Sequence, residues 1–206
     1  MNLPNRLSAK HYNNINQSIM ARYELGAIYK IDGQNGTSYY ARLLTNDCYG
    51  VFAPLESKLN EETFAQTHYH LYFICNSFPV KRGIWEKVMP SPDKTDIKRW
   101  QRPQYLANFT NFNRKLFLDQ CRVFHEDGNL YKCYTKEKFI TLVKSGMISL
   151  IFNRHEVIPN FLMKYYRDFP NSYIIDKEFI HSGTPEYQKE QLEVLRELGF
   201  DVENLL

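Results

Sequence analysis

The sequence predicts an α+β protein. Its first half should form a mainly antiparallel sheet, strongly bent or curled into a partial barrel, and its second half a further hairpin and three helices. Three observations carry this reading. Aromatic residues make up 15% of the chain, chiefly 15 Tyr and 14 Phe, and flat rings pack well on pleated surfaces. Between residues 23 and 90, short apolar runs alternate with Gly, Asn, Asp and Pro, which is the punctuation of strands and turns. Beyond residue 104, helix caps and apolar residues at helical spacing enter the pattern. With 206 residues, 43% of them hydrophobic, the chain can bury one good core. The expected organisation is a single domain over 1–206, with 1–22 as an N-terminal extension, 23–90 strand-rich, and 104–206 mixed and ending in an amphipathic helix.

Residues 8–22 are compatible with a first helix, capped by Ser8 and carrying Ile15, Ile19 and Met20 on one side, although its middle is rich in Asn. Three strands follow in "AIYKI", "YYARLL" and "NDCYGVF". The turn-rich "DGQNGTS" separates the first two, and Asn46-Asp47 suits a tight reversal before the third. Strands so close in sequence imply an antiparallel meander. A polar loop or single helical turn, "ESKLNEETFAQTH", leads to a long strand in "HYHLYFIC". Alternation there places Tyr69, Leu71, Phe73 and Cys75 on one face and His68, His70, Tyr72 and Ile74 on the other. Pro79 has no backbone donor and Gly83 frees the chain, so a break is expected before "IWEKV" continues as the next strand of a core hairpin. "MPSPDKTDIKRWQRPQ", with three prolines, reads as a loop crossing the surface between the two halves.

In the second half, "KLFLDQCRVF" and "LYKCYT" flank "HEDGN", whose Asp127-Gly128 suits a hairpin turn. Thr135 should cap a helix that buries Phe139, Leu142 and Val143 and stops at Gly146. A second helix, beginning near Pro159, has Ile158, Phe161, Leu162, Tyr165 and Phe169 as its apolar stripe and ends at Pro170. The last helix has Thr184 as cap, Pro185 at its first position and Gly199 as its stop. Tyr187, Leu192, Val194, Leu195 and Leu198 form its inward side.

The candidate chemistry is thin. The stretch "LYFICNSFPVKRGIWEKV" raises a nucleic-acid surface, with Phe73, Phe78 and Trp85 on bases and Lys81 and Arg82 on phosphate, but its long strand carries no cation and a core hairpin fits better. His68 and His70 share a strand face, yet two imidazoles do not make a zinc site. "HEVIP" starts like a zinc-protease motif, and Pro159 occupies the place of the second histidine. His125, Glu126 and Asp127 combine acid-base residue types at a turn where a solvated role is commoner. Cys48, Cys75, Cys121 and Cys133 form no CxxC pair. No catalytic, metal or cofactor-binding residue is assigned. Without a signal-peptide pattern or a span of ~20 apolar residues, the expectation is a cytoplasmic protein that makes no membrane contact.

Charge is distributed unevenly. From Asp176 onward there are eight acids against three bases, so with +3 for the whole chain the preceding 175 residues carry +8. Within the acidic part, Glu186, Glu190, Glu193 and Glu197 recur at intervals of four, three and four on the last helix. Like charges at i,i+4 weaken a helix by ~0.2–0.5 kcal/mol per pair. A solvated face is the commoner explanation; the alternative is a docking surface for a basic partner.

The order of these segments resembles the immunity protein 26 family of bacterial polymorphic-toxin and contact-dependent growth inhibition systems. The segments that carry the resemblance are "LGAIYKI", "YYARLL", "YGVF", the long apolar strand, "RGIWEKV", "VFHEDG" and "TKEKFITLVKSGM", over roughly residues 23 to 168. The resemblance implies a protein without catalytic residues that binds the C-terminal domain of a cognate toxin in the cytoplasm and blocks it. No specific nucleic acid is implied. Some relatives carry a phosphotriesterase-type label, and a metal-dependent hydrolase is the competing expectation, with His68, His70, His125 and Glu126 converging. RNA binding through the basic first 175 residues is the third.

Overall fold

The computed structural model describes residues 23–34, 36–53, 65, 68–109, 114–124, 131–148, 150–176 and 183–203. The predicted helix at 8–22 and the "ESKLNEETF" segment lie outside them. Within the described residues the protein is α+β, with a six-stranded mixed sheet and a three-stranded antiparallel one.

The expected meander is present. β1 (Ile28–Asp32), β2 (Ser38–Leu44), β3 (Cys48–Val51) and β4 (Leu71–Cys75) pair antiparallel in sequence order. Asn46 and Asp47 make the reversal between β2 and β3 with φ of 58° and 52°, a left-handed conformation that Asn and Asp tolerate. The sheet stays open: with β5 (Glu86–Met89) beside β1 and β9 (Leu150–Phe152) beside β4 it runs β5-β1-β2-β3-β4-β9, so the barrel alternative is not realised.

β4 is shorter than the predicted strand and leaves His68 and His70 ahead of it. Beyond it the hairpin expectation fails. Ser77 precedes a one-turn helix, α1 (Phe78–Arg82), with Pro79 in its first turn, where a missing donor costs nothing. Gly83, at φ 71°, closes the helix in a conformation that strongly favours glycine. The helix carries the chain across the sheet, so β5 (Glu86–Met89) pairs with β1 and not with β4. The free side of β4 is taken from the second half by β9 (Leu150–Phe152), running parallel.

In that second half, "KLFLDQ" is helical: α2 (Arg114–Gln120) replaces the expected strand, and Cys121, at φ 46°, breaks the helix into β7 (Arg122–Phe124). β7 pairs with β6 (Leu106–Ala107) and, as the expected hairpin, with β8 (Tyr131–Cys133). The three predicted helices are present: α3 (Lys136–Lys144), α4 (Ile158–Tyr165) and α6 (Pro185–Glu197). Besides α2, the short α5 (Asn171–Ile174) was not anticipated. The Phe169-Pro170 bond just before it is cis.

The main core lies between one sheet face and these helices. Tyr29, Tyr49, Phe73 and Trp85 meet Phe139, Val143, Leu162 and Leu195 there. The opposite face is covered too, by Leu44, Cys48, Tyr72, Trp100 and Leu106. The proline-rich segment is therefore more than a surface crossing, because it plants Trp100, 1% exposed, on the sheet. Gly50 serves this second face: a β-carbon there would stand 2.5 Å from the Tyr69 ring, so its absence lets the ring lie across β3.

Candidate functional site

α6 is built from local signals. The Thr184 side chain accepts a hydrogen bond from the Tyr187 amide at 3.3 Å, and Pro185 takes a position whose donor would have been unsatisfied. Leu192, Val194, Leu195 and Leu198 are buried as predicted, with Tyr187 half-buried. Gln191 joins them at 1% exposure, which the apolar pattern gave no reason to expect.

The carboxylates follow from the same periodicity. Glu186, Glu193 and Glu197 are exposed and Glu190 is half-buried. Glu186 stands at the helix start, where hydrogen bonds from its own amide and from Thr184 hold its carboxyl below the ordinary value, against a slight upward push from desolvation. Glu190 Oε1 lies 3.1 Å from Lys115 Nζ of α2. Glu197 is paired with Lys136, the first residue of α3. Both lysines are held above their ordinary value chiefly by these hydrogen bonds. Among the described residues Glu190 and Glu197 are thus each paired with a lysine of another element, while Glu193 stands exposed between them.

Behind this face, α2 carries Arg114 at 0% exposure, with its guanidinium 5.9 Å from the Phe109 ring. Burial pushes its pKa down, and Tyr173, Tyr187, Asp176 and Tyr165 oppose that push. Asp176 accepts a hydrogen bond from the Tyr165 hydroxyl at 2.5 Å and lies 2.8 Å from Lys164 Nζ. Neither buried group was singled out from sequence, since an Arg just ahead of an expected strand and an Asp at the head of an acidic tail carry no local signal of burial.

The remaining candidates do not converge among the described residues. His70 Nε2 donates to the Tyr166 carbonyl, and its ring packs on Tyr166 and Phe169 at 5.0 and 6.5 Å; His68 is exposed. His155, from "HEVIP", lies in a 3₁₀ turn, 5.5 Å from the Phe78 ring. No group of three or more His, Cys, Asp or Glu residues is placed to hold a metal ion among the described residues. His125, Glu126 and Asp127 lie outside them. Phe73 and Trp85 are in the core, 6.0 Å apart, whereas Phe78 is 47% exposed with Arg82 over its ring. The three aromatic side chains therefore form no common stacking surface.

Comparison with protein-family models, curated proteins and solved structures returns no match.

Proposed function

We propose that the protein is an immunity protein, which binds the C-terminal domain of a cognate antibacterial toxin in the cytoplasm and neutralises it without catalysis. The observation that supports this most is the carboxylate face of α6. Its inward side is packed into the core, and two lysines from other elements hold its flank. A charged surface fixed in this way loses little freedom on binding, which favours affinity, and its charge would raise the association rate with a basic partner. The contact residues in this proposal are Glu186, Glu190, Glu193 and Glu197, with Glu193 the carboxylate most available to a partner. Among the described residues no helix is long and apolar enough to cross a membrane.

The test is co-expression of the tagged protein with the toxin domain encoded immediately upstream. A stoichiometric complex that survives high-salt washing, together with rescue of growth, is the expected result. Failure of both with a neighbour shown to be toxic overturns the proposal, and metal analysis with hydrolase screening then becomes the next experiment.

A further inference from the structure

The stretch "NSFPVKRGIW" divides its apolar side chains between inside and outside. Val80 is fully buried and Trp85 is 4% exposed, and together they fix α1 on the main core. Phe78 is left 47% exposed at the start of the helix. Its ring lies 5.5 Å from that of His155, which belongs to the 3₁₀ turn His155–Val157, and Val157 on the same turn is 42% exposed. Two elements distant in sequence thus bring exposed apolar side chains to one region of the surface. Apolar side chains grouped in this way and rimmed by polar ones mark interaction sites.

The rim is basic. Lys81 and Arg82 close α1, which carries no carboxylate, and both are exposed. Lys81 Nζ lies 5.1 Å from the Tyr23 ring centre, and the Arg82 guanidinium carbon lies 5.6 Å from that of Phe78. Carboxylates on neighbouring elements are engaged: Glu156 lies 3.7 Å from Arg154 Nε and 3.5 Å from His155 Nδ1, and Asp47 accepts from the Tyr23 hydroxyl at 3.3 Å. Such a rim complements an acidic partner. The surface is also held in place. The Phe78 amide donates to Asn76 Oδ1 at 3.1 Å, and the amides of Lys81 and Ile84 donate to the Ser77 and Pro79 carbonyls at 3.0 and 2.8 Å. Little ordering is needed on binding.

We propose that α1 and the His155–Val157 turn form a docking surface for an acidic protein segment, whose apolar side chain packs on Phe78 and Val157 while its carboxylates face Lys81. A single-stranded nucleic acid fits less well. Arg82 already lies over the ring on which a base would stack, and a stacking track needs several aromatic rings in series with its cations. The surface uses none of the α6 carboxylates and does not depend on the toxin-binding reading.

The test uses the full chain and a fluorescein-labelled peptide, Glu-Glu-Leu-Phe-Glu-Glu, followed by fluorescence anisotropy. Saturable one-site binding is expected, weaker by about tenfold or more when Ser-Ser replaces Leu-Phe or Lys replaces each Glu of the peptide. Phe78→Ser and Lys81→Glu, both at exposed positions, should each weaken binding by a similar factor while circular dichroism shows them folded. Absence of saturable binding overturns the proposal. So does equal affinity for the serine-substituted peptide, tighter binding of oligouridylate, which would make this a nucleic-acid surface, or an affinity that neither folded variant changes.

Discussion

Lys115 Nζ lies 3.1 Å from Glu190 Oε1, so α2 neutralises part of the face that α6 turns outward. That relationship separates the four glutamates by role. Glu190 and Glu197 help to seat the helix, and Glu193 is exposed; in the proposed complex Glu193 is the carboxylate that meets the toxin. Glu193→Lys should therefore slow association with a basic toxin domain by about tenfold or more at low salt and much less at 0.15 M, as electrostatic steering requires. Stopped-flow association rates at two ionic strengths check this, and an unchanged low-salt rate removes α6 as the steering surface.

Thr184 starts the helix that carries those charges. Thr184→Ala deletes the acceptor for the Tyr187 amide and should lower global stability by about 1 kcal/mol, with Thr184→Ser close to wild type. Urea midpoints at constant slope measure the difference. Equal midpoints for all three proteins would mean that the cap contributes nothing to α6.

Gly26 lies against Trp100. At φ 82°, a β-carbon on residue 26 would stand 2.5 Å from both the indole ring and Ser91 Oγ. Gly26→Ala should thus cost about 2 kcal/mol or more, because backbone strain and overpacking act together. A urea midpoint within error of wild type would show that the Trp100 segment moves aside easily.

Tyrosine burial predicts an alkaline limit to stability. Desolvation is the first cause that pushes the phenols of Tyr29, Tyr72, Tyr165 and Tyr173 from 10.0 up to about 12. Between those values the unfolded chain releases protons that the folded one retains, so stability falls as pH rises from about 10 to 12. Tyrosinate absorbance at pH 11 should be well below that in 6 M guanidinium chloride at the same pH, and equal absorbances from a chain still folded by circular dichroism would contradict the burial.

Thr135, Thr184 and Pro185 sit within one turn of the amides they satisfy or replace, so the starts of α3 and α6 follow from a few neighbouring residues. Asn46-Asp47 likewise determines its turn, and glutamates at four, three and four determine a carboxylate face wherever the helix packs. Other features depend on which distant segments meet. Pro79 and Gly83 mark a break equally well for a hairpin or a one-turn helix, and only the vacant edge of β1 decides that β5 travels there. The parallel pairing of β9 with β4, the burial of Arg42 against Trp100 and the grip of Lys115 on Glu190 join residues 58 or more positions apart. Sequence by itself determined the local elements, because caps, turns and periodicity act within a few residues. Tertiary structure alone decided the sheet order, the buried cations and which carboxylates of α6 stay exposed, because each depends on what long-range packing covers.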